Sequence, residues 1–163
     1  MSSRRKLLCA ALLAAVASVS PPAWSDAVRD ADGFVTLKLG QEEWKDYPGI
    51  TGIQYMLVDG DLHQPGPYVI RVKFSPGVMT RPHFHPEDRL ATVLKGTWWS
   101  GTGDNFDPAS TIPLPPGSFM KHPAREPHYD GAKDEEVILQ IIGVGPSGTT
   151  FLKPDLGPIG PSR

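Results

Sequence analysis

Proline and glycine, 18 and 17 of the 163 residues, fall so regularly between short β-branched and aromatic runs that this chain has little room for helices. Proline removes a backbone donor and clashes with the preceding helical turn, and glycine in a helix interior forfeits conformational entropy. What survives between the breaks is strand-like: Ile53 to Val58, Tyr68 to Phe74, Leu90 to Leu94, Thr97 to Ser100, Ser118 to Lys121 and Val137 to Ile142. In Tyr68-Val-Ile-Arg-Val-Lys-Phe, alternation puts Tyr68, Ile70, Val72 and Phe74 on one face and Arg71 and Lys73 on the other. Val137 to Ile142 is almost unbroken in its apolarity and reads as a strand buried on both sides. The pattern predicts a single all-β domain, a sandwich or barrel.

Around that domain the chain divides into segments. Residues 1–25 read as an export signal: Arg4, Arg5 and Lys6 form a basic head, Leu7 to Val19 is apolar but short for a bilayer span, and Ala23-Trp24-Ser25 offers small residues for cleavage before Asp26. The two arginines admit either a twin-arginine or an ordinary secretory signal, so a periplasmic or secreted destination is expected. Residues 26–52 read as an N-terminal arm, with Phe34 to Leu37 a first strand and Glu42 to Lys45 at most one helical turn, able to add to a partner's sheet in a homodimer. Residues 53–151 form the barrel, within which 101–116 reads as a long loop over one mouth. Residues 152–163 are a Pro/Gly-rich tail, extended or mobile.

Loss of the signal removes three cations and the sole cysteine, Cys9, and takes the formal net charge from −2 to −5. A mildly acidic chain without a basic cluster argues against nucleic acid as partner, and no second apolar stretch is long enough to anchor in a membrane. Without thiols the mature chain has neither disulfides nor thiolate chemistry, so stability rests on its core.

The chemistry concentrates in histidines. His83 and His85, at i and i+2 in Gly77-Val-Met-Thr-Arg-Pro-His-Phe-His-Pro, project from one face of an extended segment and can reach a common point. His128, in Gly117-Ser-Phe-Met-Lys-His-Pro-Ala-Arg-Glu-Pro-His, is the natural third member. Three neutral imidazoles would hold a divalent transition ion, with Fe, Zn, Mn, Ni and Cu not distinguished, and leave coordination positions open, as a catalytic site requires. The plainer reading is a set of hydrogen-bonded or edge-strand histidines.

The residues from Gly77 to His128 resemble the two motifs of the cupin superfamily, a double-stranded β-helix or jelly-roll barrel. The first motif runs glycine, five residues, His-x-His, three or four residues, glutamate, six residues, glycine; Gly77, His83, His85 and Gly96 fit it. The second runs glycine, five residues, proline, one residue, glycine, two residues, histidine; Gly117, Pro123 and His128 fit it, with Arg125 in place of its second glycine. The resemblance implies a metal held by His83, His85 and His128 and a small-molecule ligand inside the barrel.

Arg89 stands where the family has its glutamate. A guanidinium cannot ligate a cation, so Arg89 must turn away, pair with an acid, or hold an anionic substrate. By strand parity Glu87 shares the face of His83 and His85 and could supply the missing oxygen if the chain stays extended past Pro86, while Asp88 faces outward. Trp98 and Trp99 should split between interior and surface; Trp98 and Tyr68 are candidate ligand-wall residues, and core packing alone also accounts for them. His122 is better read as solvent-facing or capped than as a ligand, and Glu126 as a loop acid. The expectation is an exported metal-binding cupin acting on a small anionic organic molecule, by dioxygenase-like or Lewis-acid chemistry. Its competitors are a non-catalytic ligand- or metal-binding protein and a metal-free cupin serving as an oligomerisation module, the last marked by Arg89 paired inward with Glu87.

Overall fold

The structure, a computed structural model, describes residues 27–38 and 40–163; the export signal and its cleavage point lie outside the described residues. Strands dominate: β1 (Val28–Arg29), β2 (Val35–Thr36), β3 (Lys45–Asp46), β4 (Ile53–Asp59), β5 (Gly66–Phe74), β6 (Met79–Thr80), β7 (His83–Phe84) and β8 (Arg89–Lys95). They continue with β9 (Trp98–Thr102), β10 (Ile112–Leu114), β11 (Phe119–His122), β12 (His128–Gly131), β13 (Val137–Gly145), β14 (Thr150–Phe151) and β15 (Ile159–Gly160). Among the described residues the helical pieces are two 3-10 turns, Pro108–Ser110 and Pro154–Leu156, and no helix is long and apolar enough to cross a membrane.

Two antiparallel sheets hold the core between them. One runs β11-β8-β13-β5-β4-β3; the other runs β10-β9-β12-β6-β15, with β7 on β12 and β14 on β7. From the first sheet come Tyr68, Ile70, Val72, Phe74, Ala91, Val93, Val137, Leu139 and Ile141, and from the second Trp98, joined by Ala132, all nearly inaccessible to solvent. The alternation read in β5 is real: Tyr68, Ile70, Val72 and Phe74 are buried, and Arg71 and Lys73 are half-buried. Trp98 is buried and Trp99 half-buried, as consecutive residues of one strand must divide.

The structure departs from the sequence expectations in two places, at β13 and in the 101–116 loop, and adds detail to the arm and the tail. Strand β13 is buried on one face only, with Ile142 and Val144 open to solvent. It lies in the middle of its sheet, paired with β5 and β8. The loop expected over 101–116 contains a strand: β10 folds back on β9, pairing Ile112 with Ser100 and Leu114 with Trp98. Pro113 is tolerated there because β10 is an edge, and Asp107 Oδ1 accepts the Ala109 N–H to start the intervening turn. The arm contributes β3 to this chain's own sheet, on β4, while β1 and β2 pair only with each other. The tail is extended and fixed: β15 pairs with β6, Arg81 N–H donates to Pro158 O at 2.8 Å and Arg81 Nε to Ile159 O at 3.1 Å.

Two glycines, one in a turn and one in a strand, stand where a side chain would not fit. At Gly96, between β8 and β9, φ is 70° and a Cβ would stand 2.2 Å from Glu136 O. A Cβ on Gly131 would meet Val78 O at 2.2 Å, so β12 can lie this close to the β6 segment only without one.

Candidate metal centre

Sheet register brings the first two histidines together from opposite ends of the domain. His128 in β12 sits directly across from His83 in β7, which places side chains on the same face at cross-strand spacing. His85 follows β7 by one residue, on the face of His83. The ring centroids of His83 and His128 are 4.4 Å apart, those of His83 and His85 5.0 Å, and those of His85 and His128 5.1 Å. All three are at least 95% buried, and their ligating nitrogens lie within 4.8 Å of one another.

Each ring is aimed by a backbone carbonyl. His83 Nδ1 donates to Arg81 O at 2.9 Å, His85 Nδ1 to Gly148 O at 2.8 Å, and His128 Nδ1 to Glu126 O at 3.1 Å. With the proton held on Nδ1, the lone pair of each ring is on Nε2; this is how ligating imidazoles are fixed in tautomer and orientation. His128 Nε2 is buried and has no protein partner. Burial, with the charges of the other rings and Arg89 added, depresses His83 to about 3 and His128, where burial dominates, to about 4; His85 is pushed down by the same causes. The rings are thus neutral near pH 7, the state in which imidazole binds a metal. A donor set of three borderline nitrogens with carbonyl-fixed orientation fits a divalent transition ion.

Glu87 does not join this trio. Strand β7 ends at Phe84, the chain bends at Pro86 and Glu87, and the parity that would have aligned Glu87 with His83 and His85 is lost. Its Oε1 accepts from Tyr68 Oη at 2.7 Å, Ser147 Oγ at 2.5 Å and Arg89 Nε at 3.1 Å. Burial alone would raise the carboxyl, but the Ser147, Tyr68 and Arg89 contacts outweigh it and hold Glu87 below its ordinary value. Tyr68, wholly buried, is pushed up to about 12 chiefly by that burial. It anchors Glu87 and borders neither cavity described below. Asp88 faces outward, paired with Lys121 at 2.6 Å and accepting the Ala124 N–H at 2.8 Å.

Arg89 is turned inward. It is an interior-facing residue of β8, 6% exposed, paired with Glu87 and donating through Nη2 to Ser147 Oγ at 2.6 Å. These bonds use Nε and Nη2 and leave Nη1 uncommitted among the described residues. Arg89 borders two spaces. One is a cavity of about 50 Å³ walled by His83, His85, His122, Asp130, Trp98 and Thr80, among others; the second is an open cleft of about 490 Å³ beyond Ser147 and Gly148. Tyr47, Ile50, Thr149 and Phe151 line both.

Sequence reasoning passed over two residues here. His122, expected at the surface, is 5% exposed and stacks on His128 with centroids 3.6 Å apart. It ends β11 opposite Arg89, where the sheet faces the interior. Asp130 is 5% exposed and points into the same cavity. Its signal was available: Asp130 stands at i+2 from His128, the same spacing that singled out His83 and His85. The 147–149 segment, whose Ser147 and Gly148 fix Arg89, Glu87 and His85, carried no signal beyond that of a turn.

No protein-family model matches the chain, and no curated protein matches it in sequence. Solved structures match its fold. KdgF from a Halomonas species superposes with a TM-score of 0.52 at 21% identity, covering 66% of this chain and 91% of that one. The DMSP lyase DddQ from Ruegeria pomeroyi gives 0.57 at 17% identity over 69% of this chain and 62% of that one. A cupin-2 domain from Rhodospirillum rubrum gives 0.57 at 11% identity over 74% and 81%. At these identities the likeness is one of fold: a predominantly antiparallel β-fold of the cupin type.

Proposed function

We propose that this chain is an exported, metal-dependent cupin whose strands close into a jelly-roll barrel and whose centre acts on a small anionic organic molecule. The observation that carries the reading is the convergence of one ligating nitrogen from each of His83, His85 and His128, whose rings are each aimed by a backbone carbonyl on Nδ1. These three residues would hold one divalent transition ion, which when bound supplies Lewis acidity or, if iron, oxygen activation. Three imidazoles leave its charge at +2, and the Arg89 charge is largely offset by its Glu87 partner, so the preference of the space between them for an anion rests mainly on the ion.

The two spaces divide the work by size. The inner cavity, about 50 Å³, has room for little more than a reacting group, while the cleft of about 490 Å³ can take the body of a small molecule. Arg89 stands where the two meet; Nη1 would hold a carboxylate or similar anion, and Glu87, Ser147 and Gly148 O keep the guanidinium in place. Tyr47, Ile50 and Phe151 form an apolar collar that restricts water at that junction. Export through the segment 1–25, with a mature start near Asp26, belongs to the same reading, and so does the division into an arm (26–52), a barrel (53–151) and a tail (152–163).

One observation favours a metal-free scaffold instead: Arg89 is paired inward with Glu87, as that alternative requires. Elemental analysis of protein exported to the periplasm and purified without a histidine tag separates the two. Our reading expects about one equivalent of transition metal per chain, lost in His128→Ala; less than about a tenth of an equivalent in the unmodified protein establishes the scaffold reading.

A further inference from the structure

We propose that the centre contains a second cation position, formed by His122, His128 and Asp130, which binds a divalent transition ion as an alternative to the first position and never together with it. This rests on the metal-binding reading above and deepens it.

The ligating atoms of His122, His128 and Asp130 lie within 4.8 Å of one another, and all three side chains are at least 95% buried. His122 Nε2 and His128 Nε2 are both buried without a hydrogen-bond partner. Proteins rarely leave buried polar nitrogens unmet, and two on rings whose centroids are 3.6 Å apart, one of them lining the inner cavity, call for a ligand that accepts lone pairs. Asp130 Oδ2 stands 4.0 Å from His122 Nε2, too far for a hydrogen bond and suited to an intervening ion. Its other oxygen lies 3.2 Å from Thr80 Oγ1, which also accepts the Asp130 N–H at 3.0 Å and so fixes the residue. Among the described residues no lysine or arginine forms an ion pair with Asp130. Strand β12 is held by pairing with β9 on one side and with β6 and β7 on the other.

Exclusivity follows from the chemistry of one nitrogen. His128 Nδ1 is committed to Glu126 O, which leaves a single lone pair on Nε2. An imidazole lone pair serves one ion at a time, so the His128 lone pair goes either to an ion held with His83 and His85 or to one held with His122 and Asp130. The positions also differ in character. The first is all nitrogen and leaves the ion at +2; the second includes a carboxylate, lowers the local charge to +1 and favours a harder ion. Asp130 thereby supplies the carboxylate that the Arg89 position does not.

The test is cobalt(II) titration of metal-free, full mature protein, read by visible absorption and by bound metal after gel filtration. The wild type should bind one equivalent. His83→Ala/His85→Ala should still bind one equivalent, about tenfold to a thousandfold more weakly and with an altered spectrum. Adding Asp130→Asn should remove that residual binding. Should the double alanine variant not fold, His85→Gln serves in its place, since it breaks the first position and leaves the second whole. Two equivalents in the wild type, no residual binding in a folded first-position variant, or residual binding indifferent to Asp130→Asn would each overturn the inference. A wild type that binds no cobalt overturns the metal reading itself along with it.

Discussion

The β7 segment and strand β12 each present a pair of potential ligands at i and i+2: His83 with His85, and His128 with Asp130. They differ in how they are held. The first pair straddles the end of a two-residue strand, just before the bend at Pro86, and its rings are steadied by carbonyls from Arg81 and Gly148. The second lies in a strand buried at every residue, between β9 on one side and β6 and β7 on the other. Both pairs are oriented by hydrogen bonds, His128 by Glu126 O and Asp130 by Thr80, but the second also has continuous strand pairing on both sides. The two meet because Arg125 N–H donates to His85 O at 2.8 Å, tying the second motif's loop onto the first motif's last histidine.

Replacing the residue common to both groups should do most to break this comparison. His128→Ala is expected to bring bound metal below about a tenth of an equivalent, since neither position keeps more than two protein ligands. Elemental analysis measures this, and near-stoichiometric metal in that variant would remove His128 from the centre. Next comes the contrast between His85→Ala and His122→Ala. Zinc competition titrations should show a loss of about a hundredfold or more for the first and less than about tenfold for the second, because the all-imidazole position is the better oriented. Equal losses would mean the third imidazole has been misassigned.

A smaller effect concerns the wall rather than the ligands. Glu87→Leu should destabilise the fold by about 2 kcal/mol in urea unfolding, toward the low side for breaking a buried ion pair because both partners keep slight solvent contact. The double variant Glu87→Leu/Arg89→Met should recover most of that loss; failure to recover would show that Glu87 serves something besides Arg89. The smallest expected change is a gain. Arg125 has φ 65°, in the left-handed region that suits glycine, at the position where the resembled motif has glycine. Arg125→Gly should raise stability by roughly 1 kcal/mol while keeping the N–H to His85 O.

The sequence made some of this legible and concealed the rest for physical reasons. Alternation in Tyr68 to Phe74 announced an inward face because a strand has period two, and the His83/His85 pair announced a convergence point for the same reason. His122 was misread because its burial depends on β11 ending opposite the inward-facing Arg89, a matter of register between strands about 30 residues apart in sequence. Asp130 was overlooked because attention fell on histidines, although its spacing from His128 repeats the first pair. Glu87 was misplaced by extending strand parity through Pro86, where the chain bends. The hairpin of β9 and β10 was hidden by Pro113, which an edge strand accepts and an interior strand would not.

Metal K-edge X-ray absorption on untagged protein reloaded with zinc addresses the central claim most directly, because outer-shell scattering counts the imidazoles around the ion. We expect three imidazoles with Zn–N distances near 2.0–2.1 Å in most of the sample. A zinc ion surrounded only by oxygen scatterers, or protein that retains no zinc, would contradict the account.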